Sequence, residues 1–342
     1  MRTNLLRCAV ASLVVAAVTG FAGAASAADA GDTLRYGIDD EQNINRLPQV
    51  IAEREGLFAR EGLKVELVPF KSSFRARAAG QDPGNAATVR DGMARGTIDM
   101  SRQQLPLLIG ESMAGGKYVG VAVTANNPVY FVVARPEIKS FADLKGKVLT
   151  ITNPHDGITI WTRKLLAQHG LKNEDVTLKT IAGSEARLGC LKSGECAAAT
   201  LDQPAIFEAL DAGFHSLGIT NEIAPQLYQV DIANPVWAAA HRDLVAKYIR
   251  ATTAAMRFIQ DPKNRDEVVK VTMAFTKQPE NHARQMLAYI WDPKNRVFQQ
   301  ATPDMNMVKT AISLLGEYDA LHPPLPLPDR FVDASYAKTA GQ

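Results

Sequence analysis

The sequence has few of the features that mark membrane, metal-binding or nucleotide-binding proteins. After residue 30 it contains no run of about 18 consecutive apolar residues, so we predict no membrane span in the mature protein. No CxxC or HExxH motif occurs, so we predict neither a metal site nor a cofactor. The GxGxxG and GxSxG motifs are also missing, and Tyr118 stands where a P-loop needs Ser or Thr. Nucleotide-binding enzymes and the usual serine hydrolases are therefore disfavoured.

Cysteine is scarce, with three residues in the chain. Cys190 and Cys196 remain once the N-terminal segment described below is removed. In an oxidising compartment they could form a disulfide, and the alternative is a pair of small buried side chains. The sequence leaves both open, because the distance between the two Cα atoms decides.

The first 27 residues have the pattern of a secretory signal peptide. Arg2 and Arg7 precede an apolar stretch over residues 8–18, and small residues at 25–27 form a cleavage site. The alternative is an N-terminal membrane anchor, but the apolar stretch is short for a span. We therefore expect cleavage after Ala27 and a periplasmic mature protein.

The mature chain also lacks an excess of charge. The full sequence has 38 basic and 36 acidic residues, and the N-terminal segment removes two arginines and no acid, so the mature net charge is zero. Proteins that coat nucleic acid or anionic lipid usually carry a clear positive excess. Removing 27 of the 342 residues leaves a length that suggests two domains of about 150 residues each.

Strands alternate with helices along the mature sequence, as in α/β proteins. One series begins with the strand Leu34–Ile38 and a second with Val148–Thr152. Extended segments, Tyr118–Ala134 and Tyr228–Ala240, flank the second series, and helices such as Arg242–Gln260 follow.

This order predicts that the second series is inserted into the first. We predict two α/β lobes joined by a two-strand hinge. The first lobe would be discontinuous, with residues 28–126 and 233–342, and the second would contain residues 127–232.

A five-residue motif occurs twice near the end of the chain. Residues 261–265 and residues 292–296 both read Asp-Pro-Lys-Asn-Arg. An Asp-Pro pair is typical of an N-cap followed by the first helical residue. We interpret both copies as capping turns rather than as binding motifs.

Polar residues follow the predicted strands of both series at their carboxyl ends, the edge where open α/β sheets bind ligands. Because they occur in both lobes, they predict a cleft between the lobes. Two aromatic residues and an asparagine lie beside the predicted hinge. The candidate ligand-binding residues are Asp39, Glu41, Ser72, Ser73, Ser101, Arg102, Gln103, Asn127, Tyr130, His155, Asp156, Gly157, Asp202, Gln203 and Trp237.

Two groups at this edge suit an anion. The Arg102 guanidinium can hold a carboxylate or sulfonate through two hydrogen bonds, or it could instead pair with Asp39 or Glu41. The amides at residues 155–157, where a helix is predicted to begin, also favour an anion, or Asp156 could cap that helix itself. Both alternatives stay open.

The other candidates complete a predicted set of contacts. The serines would assist Arg102, and Asp202 and Gln203 would bond to polar substituents of the ligand. Tyr130 and Trp237 would cover its apolar part. A neutral or cationic heterocycle, such as a pyrimidine, is the alternative ligand. Residues 39–41, Asp-Asp-Glu, would then accept hydrogen bonds from ring N–H groups.

Several short sequence segments resemble bacterial periplasmic substrate-binding proteins, and they occur in the expected order over nearly all of the mature chain. They are similar to segments of the sulfonate/nitrate/taurine group, also called NMT1/THI5-like. The most specific phrase is Ile138–Lys147, Ile-Lys-Ser-Phe-Ala-Asp-Leu-Lys-Gly-Lys. Others are Glu55-Gly56-Leu57-Phe58, Glu61-Gly62-Leu63, Gly96-Thr97-Ile98-Asp99, Ala186-Arg187-Leu188 and Ala212-Gly213-Phe214.

This resemblance implies a type II periplasmic binding protein fold whose lobes close on a small ligand. It also implies delivery of that ligand to an ABC-type membrane permease. We expect a monomer that binds neither nucleic acid nor the bilayer. The predicted ligand is a small organic anion, a carboxylate or a sulfonate.

The resembled group also contains enzymes, which supply a competing function. One type makes a thiamine-precursor pyrimidine, and another removes sulfinate from an aromatic ring with a cysteine nucleophile in the first lobe. Residues 28–126 of this chain contain no cysteine. We therefore expect a binding protein rather than an enzyme.

Overall fold

The computed structural model describes residues 32–38, 43–70, 89–127, 129–153, 156–223 and 227–341. The predicted signal peptide lies outside these residues. The described strands are β1 (Asp32–Ile38), β2 (Leu63–Pro69), β3 (Met100–Gln104), β4 (Val119–Asn126), β5 (Phe131–Ala134), β6 (Val148–Ile151), β7 (Thr177–Thr180), β8 (Ala198–Leu201), β9 (His215–Ile219) and β10 (Leu227–Ala233).

The strands form two five-stranded sheets, which confirms the predicted α/β class. The first sheet has the order β2-β1-β3-β10-β4 and the second the order β7-β6-β8-β5-β9. In each sheet four strands run in one direction and one is reversed, β10 in the first and β5 in the second. The reversed strands therefore begin at the edge where their neighbours end.

Helices connect and cover these strands. In chain order they are α1 (Leu47–Arg54), α2 (Leu57–Arg60), α3 (Val89–Ala94), α4 (Leu105–Met113), α5 (Gly157–Gln168), α6 (Ser184–Ser193), α7 (Ala205–Asp211), α8 (Pro235–Ala240), α9 (Arg242–Gln260), α10 (Arg265–Thr276), α11 (Glu280–Trp291), α12 (Met305–Glu317) and α13 (Ser335–Thr339). Within the described part of the chain, none of them is long and apolar enough to cross a membrane.

The long helix α9 has the bounds predicted from its apolar spacing. Its buried face, which includes Val245, Ile249 and Met256, packs against α1 and the first sheet. Burying such a stripe stabilises the helix by removing apolar surface from water.

The extended segment predicted over Tyr228–Ala240 is wrong in its second half. Strand β10 ends at Ala233, and residues 235–240 form α8. The Asn234 side chain accepts hydrogen bonds from the amides of Val236 at 2.9 Å and Trp237 at 3.3 Å. Asn at the N-cap with Pro at the next position starts a helix here.

Strand β10 pairs with β3 and β4 in the first sheet. Residues 227–232, which the sequence places in the second lobe, therefore lie in the first sheet. The chain passes from the first sheet to the second between β4 and β5, and it returns between β9 and β10. The remaining lobe boundaries stay a prediction.

Cys190 and Cys196 form a disulfide, with a Cα–Cα distance of 5.5 Å. The bond joins the end of α6 to the segment before β8. Between them Gly194 ends α6 in the left-handed region, with a φ of 84°, which glycine adopts without strain.

Candidate functional site

A small cavity is lined by residues from both sheets, at the edges where most of their strands end. Its volume is about 20 Å³, room for about one water molecule. The cavity takes residues from the ends of strands in both sheets and from α11. Its polar lining includes Asn43, Asn45, Tyr130, Asp202, Gln203, Tyr228 and Tyr289.

Two tyrosines form one wall of the cavity. Tyr130 precedes the reversed strand β5, and Tyr228 lies in the reversed strand β10, so both come to the shared edge. Their hydroxyl oxygens are 2.8 Å apart, and their rings meet edge to face with centroids 6.1 Å apart. Burial raises the pKa of both hydroxyls, so both remain protonated at neutral pH.

Asp202 and Gln203 follow the carboxyl end of β8, as predicted, and line the same cavity. The Asp202 amide donates to Ser184 Oγ at 3.2 Å. Gln203 is 7% exposed, and its Nε2 has no hydrogen-bond partner among the described residues. A buried amide donor without a partner is costly, so an acceptor placed in the cavity would stabilise it.

Arg102 lies in β3 on the first-sheet side of the cavity. Its Nη1 donates to Asn43 Oδ1 at 3.2 Å, and Asn43 itself lines the cavity. The guanidinium is therefore one hydrogen bond from the cavity wall. Its neighbour Ser101 is buried and donates to the Gly37 carbonyl at 2.9 Å. Gln103 is half-buried and lies opposite Val230 of β10.

Asp156 caps helix α5, which is the capping alternative considered for this segment. Its Oδ1 accepts the Thr159 amide at 2.9 Å, and its Oδ2 accepts the Thr152 hydroxyl. Burial is the main reason that the pKa of Asp156 is raised. Gly157 follows it at the start of α5 and lies against Trp161 and Pro106, so α5 meets α4 at this point.

The remaining candidates do not reach the cavity or are not described. Asn127 donates through Nδ2 to the Asn295 carbonyl at 2.9 Å. Trp237 lies in α8 beyond the other end of β10, stacked on His241 with centroids 4.7 Å apart. Outside the described residues lie Asp39, Asp40, Glu41, Ser72, Ser73 and His155.

Arg187 belongs to the surroundings of the site although the residue pattern alone did not single it out. It is 1% exposed, and its guanidinium donates to the Thr200 carbonyl at 2.6 Å and the Ile181 carbonyl at 3.1 Å. Burial raises the pKa of Tyr130 and of Asp156, and the positive charge of Arg187 limits both rises. The sequence draws attention to Arg187 only through the segment Ala186-Arg187-Leu188, which resembles the sulfonate/nitrate/taurine-binding group.

Solved structures with this fold have different functions. The ligand-binding component of an ABC-type import system from Staphylococcus aureus, with zinc bound, is 13% identical (TM-score 0.72, 90% of this chain and 99% of that one). The alkanesulfonate-binding protein SsuA from Xanthomonas axonopodis pv. citri, bound to MOPS, is 17% identical (TM-score 0.67, 88% and 98%). The desulfurization enzyme DSZB is 14% identical (TM-score 0.65, 90% and 98%). These likenesses establish the periplasmic binding protein fold.

Comparison of the sequence with curated proteins gives no match. The sequence model of one family, however, matches residues 42–273, which is more than half of the chain. The matched range includes α1, nine of the ten described strands and the polar lining of the cavity apart from Tyr289. The chain therefore belongs to the NMT1-like family.

Proposed function

We propose that this protein captures a small organic anion, a carboxylate or a sulfonate, at the cavity between its two sheets. It would do so in the periplasm, after removal of residues 1–27, and would deliver the anion to an ABC-type importer. Family membership supports a binding role, as do the import-system component and the sulfonate-binding protein among the solved structures.

The observation that carries this proposal is a cavity lined from both sheets, with a donor in its wall and a cation one hydrogen bond behind that wall. Gln203 Nε2 comes from the second sheet and lacks a partner among the described residues. Arg102 comes from the first sheet and is linked to the cavity through Asn43. An anion between them would receive a neutral donor on one side and a cation on the other.

An organic anion is larger than the cavity, which holds about one water molecule. Binding therefore requires the two sheets to move apart and close again. We propose that the lobes predicted from sequence make this movement, and that contacts formed only in the closed state drive it.

A screen of organic anions by thermal shift tests the proposal, because a ligand that binds the folded state raises the melting temperature. The screen includes aliphatic and aromatic carboxylates and sulfonates, with MOPS among them. Isothermal titration of the best anion then gives its Kd. We expect Arg102→Gln and Gln203→Leu each to weaken binding about tenfold or more, since each removes a donor at the anion.

Arg95→Gln is the control, because Arg95 is an exposed arginine that follows α3 and does not line the cavity. It should leave the Kd unchanged. An Arg102→Gln variant with wild-type affinity for the best anion would contradict the anion site.

Asp202 favours a second ligand class, because it lines the cavity and a carboxylate can accept from a ring N–H or a cation. This is the heterocycle considered above. Pyrimidines in the same screen test it, and Asp202→Asn should then weaken binding more than Arg102→Gln does.

A catalytic role is disfavoured by the state of the cysteines. After removal of residues 1–27 the chain has only Cys190 and Cys196, and both are in the disulfide. Neither is a free thiolate, which a cysteine nucleophile requires. Release of sulfite from aromatic sulfinates by the purified protein would contradict this assignment.

A further inference from the structure

The two copies of Asp-Pro-Lys-Asn-Arg fold into the same local turn. Asp261 Oδ1 accepts the Lys263 amide at 3.0 Å, and Asp292 Oδ1 accepts the Lys294 amide at 2.9 Å. The asparagines also match. Asn264 Nδ2 donates to the carbonyl six residues earlier at 3.1 Å, and Asn295 does the same at 2.8 Å.

Among the residues that the structure describes, the second copy makes further contacts that the first does not. Asn295 Oδ1 accepts from Asn221 Nδ2 at 2.6 Å, and the Asn295 carbonyl accepts from Asn127 Nδ2 at 2.9 Å. Asn127 lies between β4 and β5, where the chain leaves the first sheet. Asn221 lies between β9 and β10, where it returns. One turn therefore bonds to both crossover segments.

The backbone around this turn strengthens the connection. The Asn126 amide, at the end of β4, donates to the Val297 carbonyl at 2.9 Å. The Tyr289 ring, in α11, meets the Phe131 ring of β5 edge to face with centroids 5.1 Å apart. Tyr289 and Val297 both line the cavity, so a shift of the turn would reshape the cavity wall.

Asn127 has a backbone conformation suited to this contact. Its φ is 44°, in the left-handed region that asparagine tolerates better than most residues. The Asn127 side chain is buried and reaches the turn from this conformation.

We propose that Asn295 is a positioning residue that fastens the two crossover segments to each other and so sets the spacing of the two sheets around the cavity. Its effect on ligand affinity rests on the function proposed above. Its effect on the arrangement of the sheets does not.

The repeat provides a matched pair of variants. Asn264→Ala removes only the local hydrogen bond of the first copy, whereas Asn295→Ala removes the equivalent bond and the bond to Asn221. Asn221→Ala removes only the crossover bond and leaves both turns intact. It also serves if Asn295→Ala fails to fold.

Spin labels measure the arrangement without any ligand. Cysteines introduced at Glu53 in α1 and Glu185 in α6, both exposed, carry the labels, and the native disulfide is buried. Double electron–electron resonance then gives the distance distribution between the two labels. We expect Asn221→Ala and Asn295→Ala to broaden or shift it relative to wild type, and Asn264→Ala to leave it unchanged.

Titration with MOPS is the second arm. A lost neutral hydrogen bond that acts only on the closed arrangement should weaken binding about two- to tenfold in Asn221→Ala and Asn295→Ala. Asn264→Ala should keep the wild-type Kd. The double variant Asn221→Ala/Asn295→Ala should be no weaker than Asn295→Ala, because both act on one contact.

The distance measurement and the MOPS titration distinguish the positioning role of Asn295 from the proposed anion-binding function. If wild-type protein binds no organic anion, the proposed function fails and the label distances alone decide on Asn295. Distance distributions that are the same in wild type, Asn221→Ala and Asn295→Ala would overturn the positioning role, whatever the protein binds.

Discussion

The buried carboxyl group of Asp231 makes the stability of this protein depend on pH. Asp231 lies in β10 and is 1% exposed. Its Oδ1 accepts from Thr124 Oγ1 at 2.9 Å and from the Tyr36 hydroxyl. Desolvation raises the pKa of Asp231 from 3.8 to about 6. The donated bonds, with the Tyr248 hydroxyl and the positive charge of Arg102, limit that rise.

The sign and size of the effect follow from this shift. Because the folded pKa exceeds the unfolded one, the folded state holds the proton more tightly. The stability from this proton is fully present below about pH 4 and is lost as the pH rises through about 6. This rise in the pKa of Asp231, from 3.8 to about 6, corresponds to a loss of about 3 kcal/mol in the free energy of unfolding.

Urea unfolding of wild type and Asp231→Asn between pH 4 and 7.5 measures this loss. Asparagine does not titrate, so we expect the variant to gain about 3 kcal/mol on the wild type as the pH rises across this range. Taking the difference cancels the titration of the other groups. Tyr36→Phe removes a donor that lowers the pKa of Asp231, so it should move the wild-type loss to higher pH. A difference between wild type and Asp231→Asn that stays constant with pH would refute the reasoning.

Two further predictions concern the second sheet. Replacing Cys190 and Cys196 by serine opens a loop with a sequence separation of 6, and it should lower the free energy of unfolding by about 2 kcal/mol in non-reducing denaturation. A reducing agent should lower the free energy of unfolding of the wild type by the same amount. If neither the serine variant nor the reduced wild type is less stable, the disulfide does not form in the protein. Gly157→Ala would place a Cβ 2.8 Å from the Trp161 ring, so we expect it to cost about 1–3 kcal/mol in thermal unfolding. Gly189→Ala, in a helix position with open space, should instead be neutral or stabilising.

Much of the fold could be predicted because local patterns decide it. Helix α9 has apolar residues at helical spacing along its length, so its bounds follow from the sequence. The prediction of an extended segment after Ala233 is wrong, although the three alanines at 238–240 favour a helix. The start of α8 depends instead on one side chain, Asn234, which accepts two backbone amides.

The candidate site could be predicted only in part, for a topological reason. Asp202 and Gln203 follow a strand of the majority direction, so the rule that ligands bind at carboxyl ends predicts the edge at which the cavity lies. Trp237 follows β10, which runs the other way, so its carboxyl end lies at the opposite edge. Strand direction within a sheet is a long-range property, and no local pattern near Trp237 reports it.

Arg187 shows a second limit of local reasoning. A charged residue in a helix is expected to face water, because burying a lone charge is costly. Here carbonyl oxygens of Thr200 and Ile181 compensate for the burial. Those acceptors lie in and beside other strands, so their position becomes known only when the sheet is assembled.

The place of β10 in the first sheet constrains the order in which the chain can assemble. Residues 131–219 contain every strand of the second sheet, so that sheet can form from one continuous stretch of chain. The first sheet cannot do the same, because β4 has β10 as its only neighbouring strand in the described sheet order. Until Leu227–Ala233 has inserted, β3 keeps an open edge and β4 has no strand beside it, and open edges invite pairing with other chains. A newly synthesised chain is therefore most vulnerable to self-association in the interval before β10 inserts.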